Sequence, residues 1–403
     1  MKASISKSTA HGSISAPTSK SVAHRLLICS ALAEGKSVIS GITRSEDVLA
    51  TVDCLRALGA KIEDNGDVFT VRGINMRKTA PSGILPCRES GSTLRFLIPI
   101  ASLSGAKVTF GGSEKLFSRP LSVYEKIFEE RELLIKKLYS LLFVDGPLPS
   151  GEYTLDGNVS SQFISGLLFA LPLTDGDSTI RIIPPFASRS YVDLTVDALE
   201  KFGIKVELED ELTFKIPGNQ KYRAISTSVE GDFSGSAFLE ALNLFGSEVE
   251  VLGLNETSKQ GDKVYCELFK MLLAGTPEID IENCPDLAPI LFTVAAANNG
   301  AVFTSTSRLK IKESDRAEAM AKELRKFGAE IEVQEDTVII KKTELHAPTE
   351  ELSGHNDHRV VMALAVLCSL FGGVIDDAEA VCKSYPDFFL DIKKLGIEVT
   401  LYD

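Results

Sequence analysis

RLLICSALAEG, at residues 25–35, is an apolar helical stretch that ends in glycine, and stretches of this kind occur six times along the chain. The other five are RFLIPIASLSG (95–105), FISGLLFALPLTDG (163–176), AFLEALNLFG (237–246), ILFTVAAANNG (290–300) and VMALAVLCSLFGG (361–373). These helices are too apolar to face water, so we expect all six to be buried. Glycine after a helix is the expected left-handed cap. The closing glycines, Gly35, Gly105, Gly176, Gly246, Gly300 and Gly372, are 54 to 72 residues apart, which indicates an internal repeat.

Each copy of the repeat continues in the same order after its closing glycine. A β-rich strand and a polar turn are followed by an amphipathic helix such as EDVLATVDCLRAL (46–58), a second glycine, a strand and a hairpin. The unit therefore reads β-α-β-α-β-β, and six copies in 403 residues predict an α/β fold with two domains of three units each. Two copies depart from this pattern. We interpret EKIFEERELLIKKLYSLLFVDG (125–146) in copy two as a helix without a closing glycine, and copy four is shorter.

The composition is that of a soluble globular protein, with 44% hydrophobic and 25% charged residues. A net charge of −13 opposes binding to nucleic acid or to an anionic membrane, so we expect neither partner. The longest apolar run, Val360 to Ile375, is shorter than the ~20 residues that a membrane span needs. The amino terminus lacks the apolar core of a signal peptide. These observations predict a cytoplasmic protein whose seven cysteines are reduced.

A polar string precedes each of the six apolar helices. The strings are TSKSVAHR (18–25), ESGSTLR (89–95), VSSQ (159–162), GDFSGS (231–236), NCPDLAP (283–289) and GHNDHR (354–359). Ser, Thr, Asp and Asn at a helix start can be simple caps. Simple caps do not also require the cationic and amide side chains at the same ends, which are Lys20, Arg25, Arg95, Gln162 and Arg359. Since helix amino termini attract anions, the strings predict a site for phosphate or carboxylate groups.

Other kinds of site receive no support from the sequence. No G-x-G-x-x-G string, Walker-type loop or His–Glu zinc motif is present, so we expect no metal, nucleotide or other cofactor. We interpret His11, His24, His346 and His355 as surface or packing residues.

Nine strings in order resemble the family of 5-enolpyruvylshikimate-3-phosphate synthases. They are PTSKSVAHR, ESGSTLR, LFSRPLS, VSSQFISGLL, SRSYVD, PDLAP, KIKESDR, NDHRVVMA and KSYPDFF, and the match runs from about residue 7 to residue 391. The resemblance implies two domains of three repeats around inward helices, with the ligands in the cleft between them. It also implies that the chain crosses twice, which gives domains of 14–229 and of 1–13 plus 230–403.

The resemblance further implies a reaction in which the carboxyvinyl group of phosphoenolpyruvate moves to the 5-hydroxyl of shikimate 3-phosphate and phosphate is released. By matching position, the residues expected on shikimate 3-phosphate are Lys20, Ser21, Arg25, Ser160, Ser161, Gln162, Ser188, Tyr191, Asp286 and Lys312. Those expected on phosphoenolpyruvate are Lys20, Gly91, Arg119, Gln162, Arg316, Arg359 and Lys383. The predicted catalytic residues are Asp286 as the base, Glu313 as the proton donor and Lys20, which would contact both substrates. Asp357 and His358 have supporting roles.

Two other functions remain open from the sequence. The sister transferase that acts on UDP-N-acetylglucosamine usually carries a reactive cysteine on the loop matched here by Gly111 to Pro120, where no cysteine occurs. A non-catalytic anion-binding protein could also use this repeat, but the chain retains both predicted acid–base residues, Asp286 and Glu313. We expect a monomeric enzyme that acts on two small anionic substrates.

Overall fold

The computed structural model describes residues 1–79, 81 and 83–403. Its strands are β1 (Lys2–Ile5), β2 (His11–Ser15), β3 (Lys36–Ser40), β4 (Lys61–Asn65), β5 (Val68–Arg72), β6 (Ile84–Arg88), β7 (Val108–Gly112), β8 (Ile135–Leu138), β9 (Leu141–Val144), β10 (Glu152–Asp156), β11 (Ser178–Ile183), β12 (Glu207–Asp210), β13 (Thr213–Ile216), β14 (Ser226–Ser228), β15 (Glu248–Leu252), β16 (Glu278–Asp280), β17 (Gly300–Thr304), β18 (Ile331–Val333), β19 (Thr337–Lys341), β20 (Gly373–Ile375) and β21 (Val399–Tyr402).

The helices alternate with these strands along the chain. They are α1 (Lys20–Leu32), α2 (Glu46–Ala57), α3 (Gly91–Ala101), α4 (Glu114–Ser118), α5 (Ser122–Glu130), α6 (Ser161–Ala170), α7 (Arg189–Lys201), α8 (Phe233–Ala241), α9 (Tyr265–Ala274), α10 (Ala288–Ala297), α11 (Arg316–Arg325), α12 (His358–Phe371) and α13 (Phe388–Lys394). Short 3₁₀ helices cover Ser102–Ser104, Leu171–Leu173, Leu242–Phe245, Gly261–Val264, Ser307–Ile311 and Ala378–Lys383. Contacts divide the chain into two compact units, residues 20–230 and residues 1–19 with 231–403.

The unit of residues 20–230 contains three four-stranded sheets with one pairing pattern. Their strand orders are β14-β3-β5-β4, β6-β7-β9-β8 and β10-β11-β13-β12. In each sheet the first two strands are parallel and the remaining pairs are antiparallel. The last strand of the unit, β14, completes the sheet of the first copy, so the unit closes on itself.

The second unit varies the same plan. Its sheet β16-β17-β19-β18 repeats the pattern in full. The sheet β20-β1-β21 uses the first strand of the chain, and Leu352 adds a parallel bridge to Ile375. Copy four has only the parallel pair β15-β2, because the chain runs from α9 directly to β16 without a hairpin. This missing hairpin explains why copy four is shorter.

The six apolar helices are buried, as the sequence predicted. In α3 every residue except Ser92 is buried, and in α10 every residue except Ala297. Helices α1, α3 and α6 belong to the core of residues 20–230, whereas α8, α10 and α12 belong to the other core. Five of the six closing glycines have a positive φ, but Gly176 does not, so the predicted left-handed cap is wrong there. The predicted α/β repeat fold is confirmed.

The interpretation of copy two as one long helix is wrong. Helix α5 ends at Glu130, and the residues after it form the hairpin β8–β9. Glu132 takes φ +54 at the position where four other amphipathic helices have a left-handed glycine, such as Gly203 with φ +77. The N–H of Glu132 donates to the carbonyl of Glu129, as that of Gly203 donates to Glu200. A glutamate therefore ends this helix with the glycine geometry, at some cost in backbone strain.

Candidate active site

Six charged side chains meet at the amino ends of α10, α11 and α12, and we call them the charge cluster. They are Asp286, Lys312, Glu313, Arg316, Asp357 and Arg359. Asp286 lies two residues before α10, and Lys312 and Glu313 lie in the segment that leads into α11. The local sequence explains this placement, because the polar strings precede helices whose apolar residues are buried in the core.

Arg316 is the centre of the charge cluster and is only 1% exposed. Its Nε donates to Asp357 Oδ2 at 2.9 Å, its Nη1 to Asp286 Oδ1 at 2.8 Å, and its Nη2 to Glu313 Oε2 at 2.7 Å. Burial lowers the pKa of Arg316, but the three carboxylates outweigh burial and raise it. The predicted base and the predicted proton donor are therefore held by one guanidinium group.

Asp286 contacts three cations at once. Besides Arg316, it accepts from Lys312 Nζ at 3.2 Å and from Arg359 Nη2 at 3.0 Å. Burial raises the pKa of Asp286, but the charges of Arg359, Lys312 and Arg316 outweigh it and hold the pKa well below its usual range. Asp286 is thus ionised, which is the state that a proton acceptor requires.

For the pKa of Lys312, burial outweighs the attraction of the neighbouring carboxylate, which is the opposite of the result for Asp286. Burial, assisted by the charges of Arg316 and Arg308, lowers its pKa to about 8 although Asp286 opposes the shift. This lysine can therefore lose its proton within an accessible pH range, unlike the neighbouring guanidinium groups.

Asp357 is fully buried and performs two structural tasks. Its Oδ1 accepts from the backbone N–H of Arg359 at 3.0 Å, which caps α12, and its Oδ2 also accepts from Ser314 Oγ at 3.0 Å. Burial raises the pKa of Asp357, but the charge of Arg316 outweighs burial and lowers it. This carboxylate fixes the two cationic residues Arg316 and Arg359 to the same helix start.

Asp262, which the sequence analysis missed, lies beside the charge cluster. It is buried on the 3₁₀ helix Gly261–Val264 and hydrogen-bonds Ser234, which in turn accepts from Arg359 Nη1 at 2.5 Å. Burial, with the nearby charge of Asp286, raises the pKa of Asp262 to about 6. No signal in the string Gly261-Asp262-Lys263-Val264 separates this residue from an ordinary helix-start aspartate.

Lys383 lies against the loop that carries Asp357. Its Nζ donates to the Asn356 carbonyl at 2.7 Å and to Asn356 Oδ1 at 2.9 Å. His355 and Asn356 have φ values of +52 and +51, so two consecutive residues of this loop are left-handed. Lys383 therefore supports the backbone conformation just before α12.

In the unit of residues 20–230, Arg25 brings two other predicted site residues together. Its Nη1 donates to the Ser21 carbonyl at 2.7 Å and its Nη2 to the Tyr191 carbonyl at 2.7 Å. Its Nε donates to Thr195 Oγ1 at 2.8 Å. Burial lowers the pKa of Arg25 to about 10, which leaves the guanidinium charged at neutral pH. All three of these acceptors are uncharged.

Lys20, at the first position of α1, forms an ion pair with Asp47 of α2. The Lys20 Nζ and Asp47 Oδ2 atoms are 2.8 Å apart. Both side chains are mostly buried, with 16% and 11% exposed. Asp47 was absent from the predicted site, because its position at the start of an amphipathic helix is that of an ordinary capping residue.

Gly91 begins α3 and lies against two guanidinium groups. A Cβ atom built on Gly91 would be 2.7 Å from Arg119 Nη1 and 3.0 Å from Arg95 Nη1. Arg119 Nε is buried and, in the part of the chain that the structure describes, has no hydrogen-bond partner. Arg95 Nη1 donates to Gln162 Oε1 at 2.8 Å, and Gln162 Nε2 donates to Ser92 Oγ at 2.9 Å. The amino terminus of α3 therefore combines free N–H groups with nearby guanidinium groups, an arrangement that attracts anions.

The three predicted phosphate-binding serines lie on two elements. Ser160 caps α6 by accepting from the Gln162 backbone N–H at 3.3 Å, and Ser161 is buried at the first position of this helix. Ser188 precedes α7 and has φ +57, in the left-handed region. Tyr191 follows in the first turn of α7, where its carbonyl accepts from Arg25.

Metal ligation and membrane insertion receive no support from the described residues. Within residues 1–79, 81 and 83–403, no three His, Cys, Asp or Glu side chains gather as metal ligands would. Among the described helices, none is both long enough and apolar enough to cross a bilayer.

The repeated sheets and the charged groups at buried helix starts define an α/β enzyme of the kind that binds anionic substrates. The family model described as EPSP synthase (3-phosphoshikimate 1-carboxyvinyltransferase) matches residues 6–275 and 269–392. The 3-phosphoshikimate 1-carboxyvinyltransferase of Clostridium perfringens is 40% identical over 419 residues, covering 98% of each chain. That of Clostridium novyi (strain NT) is 42% identical over 422 residues, covering 97% of each. An EPSP synthase structure from Acinetobacter baumannii covers 100% of both chains with a TM-score of 0.81 at 23% identity.

This chain belongs to the EPSP synthase family. The resemblance drawn from the nine sequence strings is therefore confirmed, together with the enzyme class.

Proposed function

We propose that this chain transfers the carboxyvinyl group of phosphoenolpyruvate to the 5-hydroxyl of 3-phosphoshikimate and releases phosphate. Family membership supports the reaction. The observation that carries it in this molecule is the charge cluster, where Arg316 lies within 2.8 Å of Asp286 and 2.7 Å of Glu313. An addition–elimination reaction needs a proton acceptor and a proton donor beside cations that neutralise the departing phosphate.

Residues 20–230 supply most of the proposed contacts to 3-phosphoshikimate. Arg25 would bind its carboxylate, and Ser21, whose carbonyl the arginine already contacts, would hold the same substrate. Tyr191 would lie beside the phosphate-binding serines, and its carbonyl also accepts from Arg25. Ser160, Ser161 and Ser188 would bind its phosphate, and Gln162 would lie between the two substrates. Hydroxyl groups and the free N–H groups at the start of α6 provide donors that suit a phosphate.

Both units would supply contacts to phosphoenolpyruvate. In one unit these are Lys20, Gly91 and Arg119, and the buried, unpaired Nε of Arg119 supports this role. In the other unit they are Arg316, Arg359 and Lys383. Planar guanidinium groups suit bidentate contacts to a carboxylate or phosphate.

Asp286 would take the proton from the 5-hydroxyl, whose oxygen then attacks C2 of phosphoenolpyruvate. Glu313 would protonate the vinyl methylene carbon, which gives a tetrahedral intermediate. Loss of a proton from the new methyl group and cleavage of the C–O bond to phosphate restore the double bond. Three cations make Asp286 a weak base before substrates bind. When the carboxylate and phosphate of phosphoenolpyruvate share these cations, Asp286 becomes more basic.

We further propose that the two domains are residues 14–229 and residues 1–13 with 230–403, and that residues of both hold the substrates. Lys20 and Lys312 would each contact 3-phosphoshikimate from a different unit. We also propose a cytoplasmic monomer that needs no cofactor.

The experiment that tests this function measures phosphate release from the purified protein with both substrates, and with each substrate alone. We expect release only with both, and at least a ~10²-fold lower rate for Asp286→Asn with nearly unchanged 3-phosphoshikimate affinity by calorimetry. UDP-N-acetylglucosamine replaces 3-phosphoshikimate in a parallel reaction. Release with that acceptor, or binding of 3-phosphoshikimate without any turnover, would contradict the proposal.

A further inference from the structure

Four buried polar side chains in residues 20–230 form a continuous hydrogen-bonded chain, which we call the hydroxyl relay. His24 Nδ1 lies 2.7 Å from Thr51 Oγ1, which lies 2.7 Å from Thr93 Oγ1. Thr93 Oγ1 donates to Ser90 Oγ at 2.7 Å. The four residues are 0 to 1% exposed. The relay connects the second turns of α1 and α2 with the start of α3, so its geometry depends on the tertiary fold rather than on one element.

The donor directions in the hydroxyl relay follow from counting hydrogens. Thr93 has one hydroxyl hydrogen and donates it to Ser90, so Thr51 must donate to Thr93. The hydroxyl hydrogen of Thr51 is then used, so His24 must donate to Thr51 from Nδ1. The imidazole is therefore the Nδ1–H tautomer, and its Nε2 is unprotonated.

The surroundings of His24 oppose a second proton on the imidazole. Burial, with the charges of Lys20 and Arg25, lowers the pKa of His24 well below its ordinary value. Its Nε2 atom is buried and has no hydrogen-bond partner in the described part of the chain. A neutral imidazole whose one N–H is used by Thr51 leaves the relay with a single arrangement of hydrogens.

The hydroxyl relay lies directly beneath residues proposed to bind substrate. His24 follows Lys20 by one helical turn on α1, and Thr51 follows Asp47 by one turn on α2. Lys20 and Asp47, one turn closer to the amino ends of these helices, form an ion pair with 2.8 Å between Nζ and Oδ2. Thr93 Oγ1 also lies 3.4 Å from the Asp47 carbonyl.

The far end of the relay reaches the start of α3. Ser90 Oγ accepts from the Thr93 backbone N–H at 3.3 Å as the cap of that helix, and Gly91 is the next residue. Since Thr93 contacts Ser90 through both its hydroxyl and its backbone N–H, the cap is held in one rotamer. The backbone of Gly91 is thereby fixed at the start of α3, where a Cβ built on this residue would meet the guanidinium groups of Arg119 and Arg95.

We propose that His24, Thr51, Thr93 and Ser90 form a positioning network that holds Lys20 and the Gly91 backbone in place for phosphoenolpyruvate. This inference rests on the proposed function for the role of Gly91 and Lys20. None of the four side chains is assigned a catalytic step. They hold the starts of three helices in fixed positions relative to one another. A buried hydroxyl without a hydrogen-bond partner costs free energy, so arrangements that break the network are unfavourable.

The first test replaces Thr51 by valine, which has the same shape and no hydroxyl. We expect the KM for phosphoenolpyruvate to rise about tenfold, with the Kd for 3-phosphoshikimate by calorimetry changed less than about twofold. Thr51→Ser retains the hydroxyl and should restore most of the lost affinity. Thr293→Val is the matched control, because Thr293 is also fully buried and donates to a carbonyl, that of Pro289, at 3.0 Å. The control should lower Tm without changing the KM for phosphoenolpyruvate.

A double variant separates positioning from stability. In His24→Leu with Thr51→Val no buried N–H is left unpaired, so Tm should recover relative to Thr51→Val alone. The KM for phosphoenolpyruvate should stay raised in the double variant. The single variant His24→Asn retains Thr51, and its amide can donate from the Nδ1 position, so its KM should be lower than that of the double variant. Parallel recovery of Tm and KM in the double variant would overturn the proposal, and so would an unchanged KM in a folded Thr51→Val.

One arm of the experiment is independent of catalysis. Nitrogen NMR of the histidine side chains reports the tautomer of each, and the chain has only five histidines. We expect the His24 signals, identified by their loss in His24→Asn, to show protonated Nδ1 and no titration over about pH 5–8. The Nε2–H tautomer would reject the relay directly. A wild-type protein without turnover that still shows the Nδ1–H tautomer would reject the proposed function and leave the relay intact.

Discussion

Two arginines of the predicted site, one in each unit, have opposite surroundings. In residues 20–230, Arg25 donates to a hydroxyl and two carbonyl groups, so its positive charge is not balanced by its contacts. In the other unit, Arg316 donates to three carboxylates, and Arg359 contacts a fourth acidic oxygen on Asp286. The surroundings of Arg25 thus leave its charge unbalanced, whereas the charge cluster holds three carboxylates balanced by three cations.

This difference separates two tasks that an enzyme with anionic substrates must perform. Cations bound to neutral oxygens keep their full attraction for a phosphate or carboxylate, even in a protein of net charge −13. A cluster with balanced charge attracts anions less strongly. Each of its carboxylates, however, gains or loses a cationic neighbour when a single contact changes. Proton affinity in such a cluster changes when a ligand redistributes the cations, which suits acid–base chemistry.

The largest expected effect comes from removing Arg316. Arg316→Ala would leave Asp357 buried without its main partner, so we expect the free energy of unfolding to fall by about 3–5 kcal/mol. Chemical denaturation measures this change. Arg119→Ala is the matched control from the other unit, since Arg119 has no carboxylate partner among the described residues, and it should change stability by less than about 0.5 kcal/mol. Equal losses of stability in the two variants would remove the distinction between the units.

The next effect concerns pH and distinguishes Lys312 from the arginines. The pKa of Lys312 is about 8 when folded against 10.5 as the ordinary value. As pH rises past about 8, Lys312 loses its charge, so the Kd for 3-phosphoshikimate should rise. Over the same interval the unfolded chain binds more protons than the folded one, so the contribution of Lys312 to stability should increase with pH.

The control for this pH dependence is Lys312→Arg, because a guanidinium group stays charged throughout. Calorimetric titrations between about pH 7 and 9 compare the two proteins, and the variant should show no comparable weakening. A wild-type Kd that stays constant across this range would mean that Lys312 keeps its proton or does not contact the substrate.

Gly91 tests the arginine surroundings in residues 20–230 by geometry alone. The Cβ atom of Gly91→Ala would lie 2.7 Å from Arg119 Nη1, so the guanidinium group must move. Alanine is favourable in a helix, so stability should change by less than about 1 kcal/mol. The KM for phosphoenolpyruvate should rise about tenfold, as for one lost charge-assisted hydrogen bond. Steady-state kinetics measures this effect, and a rise confined to the other substrate would contradict the assignment of Gly91.

Sequence reasoning found the repeats and most of the charged residues for a physical reason. Six apolar helices with closing glycines are local patterns, and the polar strings at their starts are local as well. The contacts that organise the site are not local, since Arg25 and Thr195 are 170 residues apart in the chain. Asp47, Asp262 and the partners of His24 could therefore be recognised only after the fold had brought them together.

The hairpin β8–β9 shows a second reason for failure. Its apolar residues are spaced in a way that a helix could also bury, and the glycine that marks the end of the helix in four other copies is absent. Glu132 supplies the same left-handed geometry without the residue type that reveals it. The fold tolerates this exchange because only one residue carries the strain.

The smallest expected effect follows from that exchange and touches neither group of arginines. Glu132 is exposed and has φ +54, so Glu132→Gly removes a Cβ from a left-handed position. Relief of this strain, reduced by the greater freedom of glycine in the unfolded chain, should stabilise the protein by about 0.5–1 kcal/mol. Thermal unfolding measures the gain, and Glu130→Gly, inside the last turn of α5, is the control that should destabilise by about the same amount. Both variants should keep the wild-type KM for each substrate, because stability of the second repeat and charge at the site are separate properties of this unit.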